Sequence, residues 1–440
     1  MKKKLMIVMC LVLIISTMTG CTTFNNFKNA FFGTQQPGKE AEERTIKIGV
    51  FEPLSGQNKE QGNLELMGIE LANQLYPEVL GKKVELVLAD NQSDMYVAET
   101  VINELAVQKP SVILGSYGET LTLVASDTIK ANNIPAITIT STNPLITVNN
   151  AFYFCATYSE SKQGDALADF VYTNKKLDKV ATVKITGDDT ATANIQRFNN
   201  RIKVLAGNSE SVVGNYQIDN ASKDYTETLE KIKKSEAKAV FLDVAPATAE
   251  EFLKQADTAN MTNILYVGPK TWDDEKFLKY ITDNRKLSIG FAADYSAKSS
   301  TTAMSEEFVK AYKYKYGQDA EPAQATAVAF DAYVMALKSI EKAYNNTMAW
   351  DVEALVKAAP TEAEGKAVKE DFENTKKTGI PTGKAIRDAI KSIDGFEGAS
   401  GIISYRGNNE ATKSIEVVYY DKGKAVQKTH TVDKEKIEGE

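Results

Sequence analysis

The chain has 440 residues, 43% of them hydrophobic, which is enough for two globular domains with real cores. Its formal net charge is -7 with no basic block, which argues against nucleic acid as a partner. His430 is its only histidine, and of its three cysteines only Cys155 lies in the body of the chain, so a His-based triad, a His/Cys metal site and an internal disulfide lack the residues to form.

The N-terminus reads as an export signal. "MKKKLMIVMCLVLIISTMTGC" opens on Lys2, Lys3 and Lys4, runs apolar from Leu5 to Ile15 and closes on small residues before Cys21. The apolar run is short for a bilayer span. "MTGC" resembles a bacterial lipobox, whose cysteine becomes the lipid-carrying first residue; an ordinary signal anchor with an incidental cysteine is the alternative. Residues 1–20 are therefore expected to be a signal peptide. Residues 21–44, polar and without a sustained period, are expected to be a lipidated tether that holds the chain outside the cytoplasmic membrane. Removing Lys2, Lys3 and Lys4 takes the net charge from -7 to -10.

From Thr45 strands and helices alternate. "TIKIGVF" (45–51) predicts a strand, and "NLELMGIELANQL" (63–75) predicts a helix with Leu64, Met67, Leu71 and Leu75 on one face. "KVELVLA" (83–89) precedes the helical "DMYVAETVINELAVQK", and "SVILG" (111–115) precedes "ETLTLVASDTIK". The strand "ITIT" then stops at Ser141, Thr142, Asn143 and Pro144. A second series follows "FYFCA" (152–156): "KVATVKI" (179–185), "AKAVFLD" (237–243), "NILYVG" (263–268) and "LSIGFAA" (287–293), separated by helical segments such as "AEEFLKQADTA" (249–259). Residues 313–344 carry a Tyr/Lys stripe and a long apolar helix from about Ala325, read as first-lobe scaffold. Residues 345–379 read as a solvated helical insertion, with docking on a partner the alternative. The series predicts an α/β fold: two Rossmann-like lobes whose parallel sheets are flanked by helices. Ligands of such sheets bind outside the carboxyl ends of the strands, and two facing sheets make a cleft.

"IKIGVFEPLSGQNKEQGNLELMGIELA", "VELVLADNQSD", "VILGSYGETLTLVASD", "IPAITITSTNPLIT", "GPKTWDD" and "GFEGASGIISYRGN", in that order, resemble the type I periplasmic binding proteins of branched-chain amino acid ABC transporters, the leucine/isoleucine/valine-binding family. The resemblance runs from about Thr45 to about Gln427. It implies a two-lobed clamp with hinge strands crossing three times, near Tyr158, Asp294 and Ser400. Lobe 1 would be 45–158 with 295–399 and lobe 2 would be 159–294 with 400–430, followed by a tail at 431–440. It further implies a monomeric, lipid-anchored solute-binding protein with a small-molecule ligand, ABC permease subunits as membrane partners and no cofactor. A ligand-sensing receptor of the same fold is the alternative. An enzyme is not implied: G-x-S-x-G with a downstream histidine and the phosphate loop G-x-x-x-x-G-K-S/T are both missing.

In the relatives, the loop matching "GSYGET" and the strand end matching "TST" hold an amino acid's α-carboxylate through hydroxyls and backbone N–H groups at a helix N-terminus. The matching residues are Ser116, Gly118, Glu119 and Thr120, with Thr140, Ser141 and Thr142. The alternative is that Thr140 and Ser141 cap a strand and Asn143-Pro144 make a turn. The second lobe departs from the pattern, for Lys270 stands where relatives place an acid against the ligand's ammonium. Two like charges 4 Å apart repel by about 4 kcal/mol at an effective dielectric near 20. The first-loop aromatic of relatives falls on Gln61, and Thr190 stands at another aromatic position. Trp272 would supply a stacking wall or pack the lobe. Lys270 itself has three readings: pairing with a ligand carboxylate, pairing with Glu119 over a mostly neutral ligand, or reaching solvent while Asp243 or Glu119 takes an ammonium. Asp188 and Asp189 would bind a hard cation or form a solvated loop.

Cleavage and lipidation at Cys21 are expected to fail in Cys21→Ala, leaving unprocessed or shed protein. Metabolic labelling with a radioactive fatty acid checks this, and normal labelling of the variant would sink the assignment.

Overall fold

Unbroken apolar runs become parallel strands buried on both faces, and the computed structural model of the protein shows two sets of them. It describes residues 45–148, 150–158, 162–219, 221–293, 302–405, 409–413 and 415–426. The leader, Cys21, the tether, the crossing expected near Asp294 and His430 lie outside the described residues. In the first lobe, β1 (Ile46–Glu52), α1 (Lys59–Leu75), β2 (Glu78–Val79), β3 (Lys82–Asp90), α2 (Met95–Val107), β4 (Val112–Gly115), α3 (Glu119–Val124), α4 (Ser126–Asn132), β5 (Ala136–Thr138) and β6 (Tyr153–Cys155) follow one another. The sheet order is β2-β3-β1-β4-β5-β6, parallel throughout except for β2. The order reverses at β1, so a crevice opens where β1 and β4 end.

The second lobe runs through α5 (Lys162–Asp169), β7 (Val180–Ile185), α6 (Asp189–Ala206), β8 (Val212–Ile218), α7 (Thr226–Lys234), β9 (Ala239–Asp243), α8 (Pro246–Thr258), β10 (Leu265–Gly268), α9 (Glu275–Asp283) and β11 (Ser288–Ala293). The chain then forms α10 (Ala303–Tyr316), α11 (Gln324–Met348), α12 (Val352–Ala358), α13 (Glu362–Thr378) and α14 (Gly383–Lys391). It ends with β12 (Phe396–Gly398), β13 (Gly401–Tyr405), β14 (Ala411–Lys413), β15 (Glu416–Asp421) and β16 (Lys424–Ala425). The second sheet has the order β16-β15-β11-β10-β9-β7-β8, with β15 antiparallel to β11. Strand β8 was not expected from the sequence: "VVGNYQI" holds Gly214 and is largely half-exposed at the sheet edge, so no apolar run marks it.

Two features differ from expectation. The third crossing, expected near Ser400, comes between β14 and β15. Phe396, Ala399, Ile403, Tyr405 and Ala411 pack into the first lobe's core, whereas Ile415, Val417 and Tyr419 pack into the second's. The physical reason lies on α11, where the buried Asp331 accepts hydrogen bonds from the amides of Ala399 and Ser400 (2.8 Å for Ser400) and from the Ser400 hydroxyl. That anchor keeps residues 396–413 on the first lobe. The 345–379 segment is helical and solvated as expected: α12 buries no residue, and α13, opened by a capping box at Thr361 and Glu364, buries only Gly365 and Thr375.

The second difference is the packed face of α1. Leu64, Met67 and Leu75 are only half-buried, while Gly62, Glu65, Gly68, Ile69, Leu71 and Ala72 are buried. Glycine sets this face: a Cβ on Gly68 would lie 2.1 Å from the Thr326 carbonyl oxygen and 2.8 Å from the Ala329 Cβ, so the helix backbone rests directly on α11. Turning that face inward carries Glu65 into the interior.

Gly68→Ala is expected to destabilise the first lobe by about 1–3 kcal/mol, the usual range for overpacking. Its clash is with backbone, which cannot rotate aside. Urea unfolding checks this, and an unchanged midpoint would mean that α1 and α11 are not in this close contact.

Candidate functional site

At the carboxyl edge of the first sheet the backbone turns away from its neighbours and leaves amides without strand partners. Asp90, ending β3, takes three of them: Leu54 N at 2.9 Å, Ser55 N at 3.2 Å and Gln92 N at 2.8 Å, with the Ser55 hydroxyl at 2.7 Å. Burial works to raise this carboxyl's pKa, but the four hydrogen bonds outweigh it and hold the group below the usual carboxylate range. Ser93 ties the same loops again, its hydroxyl donating to Ser55 O at 3.0 Å and accepting from Asn58 N at 2.9 Å.

The loop after β4 is fixed from within. Ser116 accepts from Asn91 Nδ2 at 2.9 Å through its hydroxyl, and its carbonyl accepts from Thr122 Oγ1 at 2.7 Å and Ser141 Oγ at 3.1 Å. The Thr122 and Ser141 hydroxyls are also 3.0 Å apart. All three side chains are buried. Ser116 and Ser141, both expected to meet a ligand, are thus committed to one another's loops. Gly118 begins α3 at φ +93°, a conformation that favours glycine.

Thr140 donates its hydroxyl proton to the Glu65 carboxyl, so it presents only acceptor lone pairs to anything outside. Thr120, exposed, and Thr142, half-buried, engage no hydrogen-bond partner through their hydroxyls among the described residues and are free to donate. Glu119 is exposed and accepts from Asn143 Nδ2 at 3.3 Å, which bridges the two loops. Gln61 is exposed in the first turn of α1.

Sequence reasoning missed Glu52 and Glu65. Both are wholly buried at the reversal point of the sheet. Glu52 Oε2 accepts from Tyr117 N at 2.8 Å. Its other oxygen lies against Gly115, where a Cβ would come within 2.3 Å of it. Burial and then the charge of Glu65 hold the Glu52 carboxyl well above its usual range, against the Tyr117 amide. Burial pushes Glu65 up to about 7, while its hydrogen bonds to Glu52 and Thr140 work the other way. The available signal was the spacing of Gly62, Glu65 and Gly68, three positions apart, which marks one close-packed helix face with an acid on it.

In the second lobe, Lys270 follows β10; its amide donates to Gln163 Oε1 at 2.7 Å and its ammonium stands 5.7 Å from the centroid of the Tyr158 ring. The structure does not bring it to Glu119. Trp272 sits in the second lobe's core, wholly buried, its indole N–H donating to Val244 O at 2.9 Å and its ring 5.0 Å from that of Phe277, rather than walling a pocket. Asp243 is buried and accepts from Asn194 Nδ2 at 2.8 Å. Asp188 caps α6 through Ala191 N at 2.8 Å, and Asp189 and Thr190 are exposed. No group of three or more His, Cys, Asp or Glu is placed to hold a metal among the described residues.

Residues 45–425 match the model of the periplasmic binding protein family. An amino acid binding protein of Pseudomonas aeruginosa is 29% identical over 145 residues, which are 31% of this chain and 38% of that relative, so the chain spans under half of the curated relative's length. Among solved structures, a leucine-binding protein of Thermotoga maritima is 23% identical, with 88% of this chain and 98% of that one covered at a TM-score of 0.59. A solute-binding protein of an ABC transporter from R. palustris, in complex with benzoate, is 17% identical, with 89% and 98% covered at a TM-score of 0.58. These likenesses show the two-lobed type I periplasmic binding protein fold.

Thr122→Val keeps the side chain's shape and removes the hydroxyl that joins the β4 loop to the β5 end. A loss of about 1–3 kcal/mol is expected, because a buried acceptor is left short of a donor. Guanidinium unfolding measures it, and a loss near zero would mean the two loops are held by something else.

Proposed function

The chain belongs to the periplasmic binding protein family, and from that premise we propose that it is the lipid-anchored, extracytoplasmic solute-binding subunit of an ABC importer. It takes a small polar molecule, amino-acid-like or amide-like, into the cleft between its lobes and holds it by hinge closure. Family members are binding proteins and not enzymes. The observation that carries the reading is the pair of uncommitted hydroxyls, Thr120 and Thr142, at the edge of a network whose other members are already bonded to each other.

On this reading Thr120 and Thr142 donate to an anionic or strongly polar end of the ligand, and Thr140, its proton spent on Glu65, accepts from an N–H or O–H of the same molecule. The second lobe offers Lys270 where an amino acid's ammonium would need an acid, and Asp243 is bonded to Asn194. Simple aliphatic α-amino acids therefore bind weakly, and an acidic or amide-like molecule is preferred. The two solved neighbours, one leucine-binding and one holding benzoate, span amino acids and carboxylates without an ammonium.

Thermal unfolding of the full chain against amino acids, amides, aliphatic and aromatic carboxylates and nucleosides tests this. A true ligand at a hundred times its Kd adds about 2.7 kcal/mol, and stabilisation by no member would overturn the reading. For the ligand so found, Thr142→Val is expected to weaken calorimetric affinity roughly ten- to hundredfold, the cost of a hydrogen bond to a charged group. Leucine, isoleucine and valine are expected to bind Lys270→Glu better than the wild type; micromolar wild-type binding of any of the three would end the specificity argument.

A further inference from the structure

The acid pair at the reversal point of the first sheet has no part in the ligand contacts above, yet it stands directly behind them. Each carboxyl has one oxygen accounted for, Glu52 Oε2 by the Tyr117 amide and Glu65 Oε1 by the Thr140 hydroxyl. The remaining oxygens, Glu52 Oε1 and Glu65 Oε2, are buried and receive no N–H or O–H donor among the described residues. What each does have is the other carboxyl as a neighbour, for each bears on the other's protonation.

Among the described residues, the surroundings offer no compensating charge. From β6 the pair faces Tyr153, a buried phenol whose hydroxyl donates to Gly115 O at 3.0 Å. From β4 it faces Gly115, and from beyond β5 Thr140. The face of α1 that carries Glu65 rests on α11 through uncharged Thr326 and Ala329. No ammonium or guanidinium among the described residues bears on either carboxyl. Two buried carboxylates in contact cannot both be ionised without several kcal/mol of repulsion, whereas one proton between them makes a charge-assisted O–H···O bond, among the strongest available.

We propose that Glu52 and Glu65 share one proton, and that this bridge is the positioning element that holds the Tyr117 amide and the Thr140 hydroxyl in the geometry a ligand meets. The ligand clause rests on the cleft reading above; the proton does not. The bridge joins β1 to α1, and through them the loop after β4 to the end of β5. Its proton belongs to the pair and to neither residue alone. Both carboxyls hold a proton more tightly folded than unfolded, so the stability they contribute is full below the ordinary glutamate range and is lost as pH rises toward and past about 7. Ligand affinity follows in the same direction.

Glu65→Gln and Glu52→Gln test this, because in each an amide N–H replaces the shared proton and cannot titrate. Infrared titration of the full chain is expected to show a protonated carboxyl C=O band, shifted in deuterium oxide, that fades as pH rises and is reduced in both variants. The melting temperature of the wild type should fall between about pH 5 and about pH 8 more steeply than that of either variant. Parallel melting profiles, or an undiminished band in both variants, would overturn the shared proton; if one variant fails to fold, the other decides.

Ligand affinity, for a compound found by the thermal panel, should be several-fold higher in the wild type at about pH 6 than at about pH 8, with a ratio near one in Glu65→Gln. A purely structural role would lower affinity in Glu65→Gln and leave the ratio as in the wild type, which would overturn the positioning clause. Stabilisation by no compound at any pH would overturn the cleft reading and with it the ligand clause, while the infrared and melting results judge the proton on their own.

Discussion

A parallel sheet satisfies its own backbone only as far as its strands run, and each loop leaving the carboxyl edge carries amides and carbonyls that something else must meet. In the first lobe, acids and hydroxyls meet them across strand boundaries. Asp90 of β3 holds the loop after β1, Glu52 of β1 holds the loop after β4, and Thr122 and Ser141 converge on the carbonyl of Ser116. The loops after β1 and β4 are thereby each fastened to a neighbouring strand as well as within themselves. The edge is thus cross-tied by its own hydrogen bonds, an arrangement that would lower the ordering cost of the binding proposed there. It also follows that few groups are left over, and the uncommitted hydroxyls of Thr120 and Thr142 gain their meaning from the saturation around them.

The same device recurs where the chain passes between lobes. Asp331 of α11 gathers the Ala399 and Ser400 amides, and Lys413 donates to the Ser400 hydroxyl at 2.7 Å, so an acid and an amine are buried together around one serine. Burial lifts Asp331 to about 6 even though Lys413 and the hydrogen bonds from Ser400 and Ala399 pull the other way. A Cβ on Gly398 would lie 2.5 Å from this carboxylate, which is why glycine stands there. The third connection is further tied to the first lobe's edge: Tyr405 donates its hydroxyl to Cys155 O at 3.1 Å, and Asn409 Nδ2 donates to Tyr153 O at 2.9 Å. The third connection is therefore bonded to the first lobe on the first-lobe side of β15.

How much of this was legible in the sequence depends on whether the controlling quantity is apolar periodicity. Strands such as "IKIGVF" and "AVFLD" announce themselves because nearly every position is buried and all but Lys47 and Asp243 are apolar, whereas β8, at an edge and half-exposed, does not. The face of α1 was read only in part: Leu71 is buried and Met67 and Leu75 pack against the core, but leucine spacing measures hydrophobicity, while Gly62 and Gly68 set the distance of approach, and Glu65 between them was missed. Which hydroxyls stay free is a three-dimensional matter. Ser116, Ser141 and Thr142 look alike in a turn-rich string, but only the fold decides which of them lies over an orphaned carbonyl. Trp272 illustrates the converse, since the sequence allowed it either to wall the pocket or to pack the lobe, and the hydrogen bond to Val244 O goes with its place in the core.

The charge that the second lobe is proposed to offer the cleft, Lys270, stands close to the first connection between the lobes. Lys270 has its ammonium 5.7 Å from the ring centroid of Tyr158, which lies on the first connection between the lobes, and its amide is fixed to Gln163 at the start of the second. A group near a hinge moves little when the lobes rotate, so its surroundings in the open and closed forms differ less than those of a group at the rim. Hinge closure is driven only by contacts that improve in the closed state. On the proposed reading, Lys270 would contribute to that difference through what the ligand brings to it: an anion held by the first lobe's hydroxyls would improve its surroundings on closure, and an ammonium would worsen them. Selectivity by charge would then belong to the hinge region as much as to the loops proposed to grip the ligand.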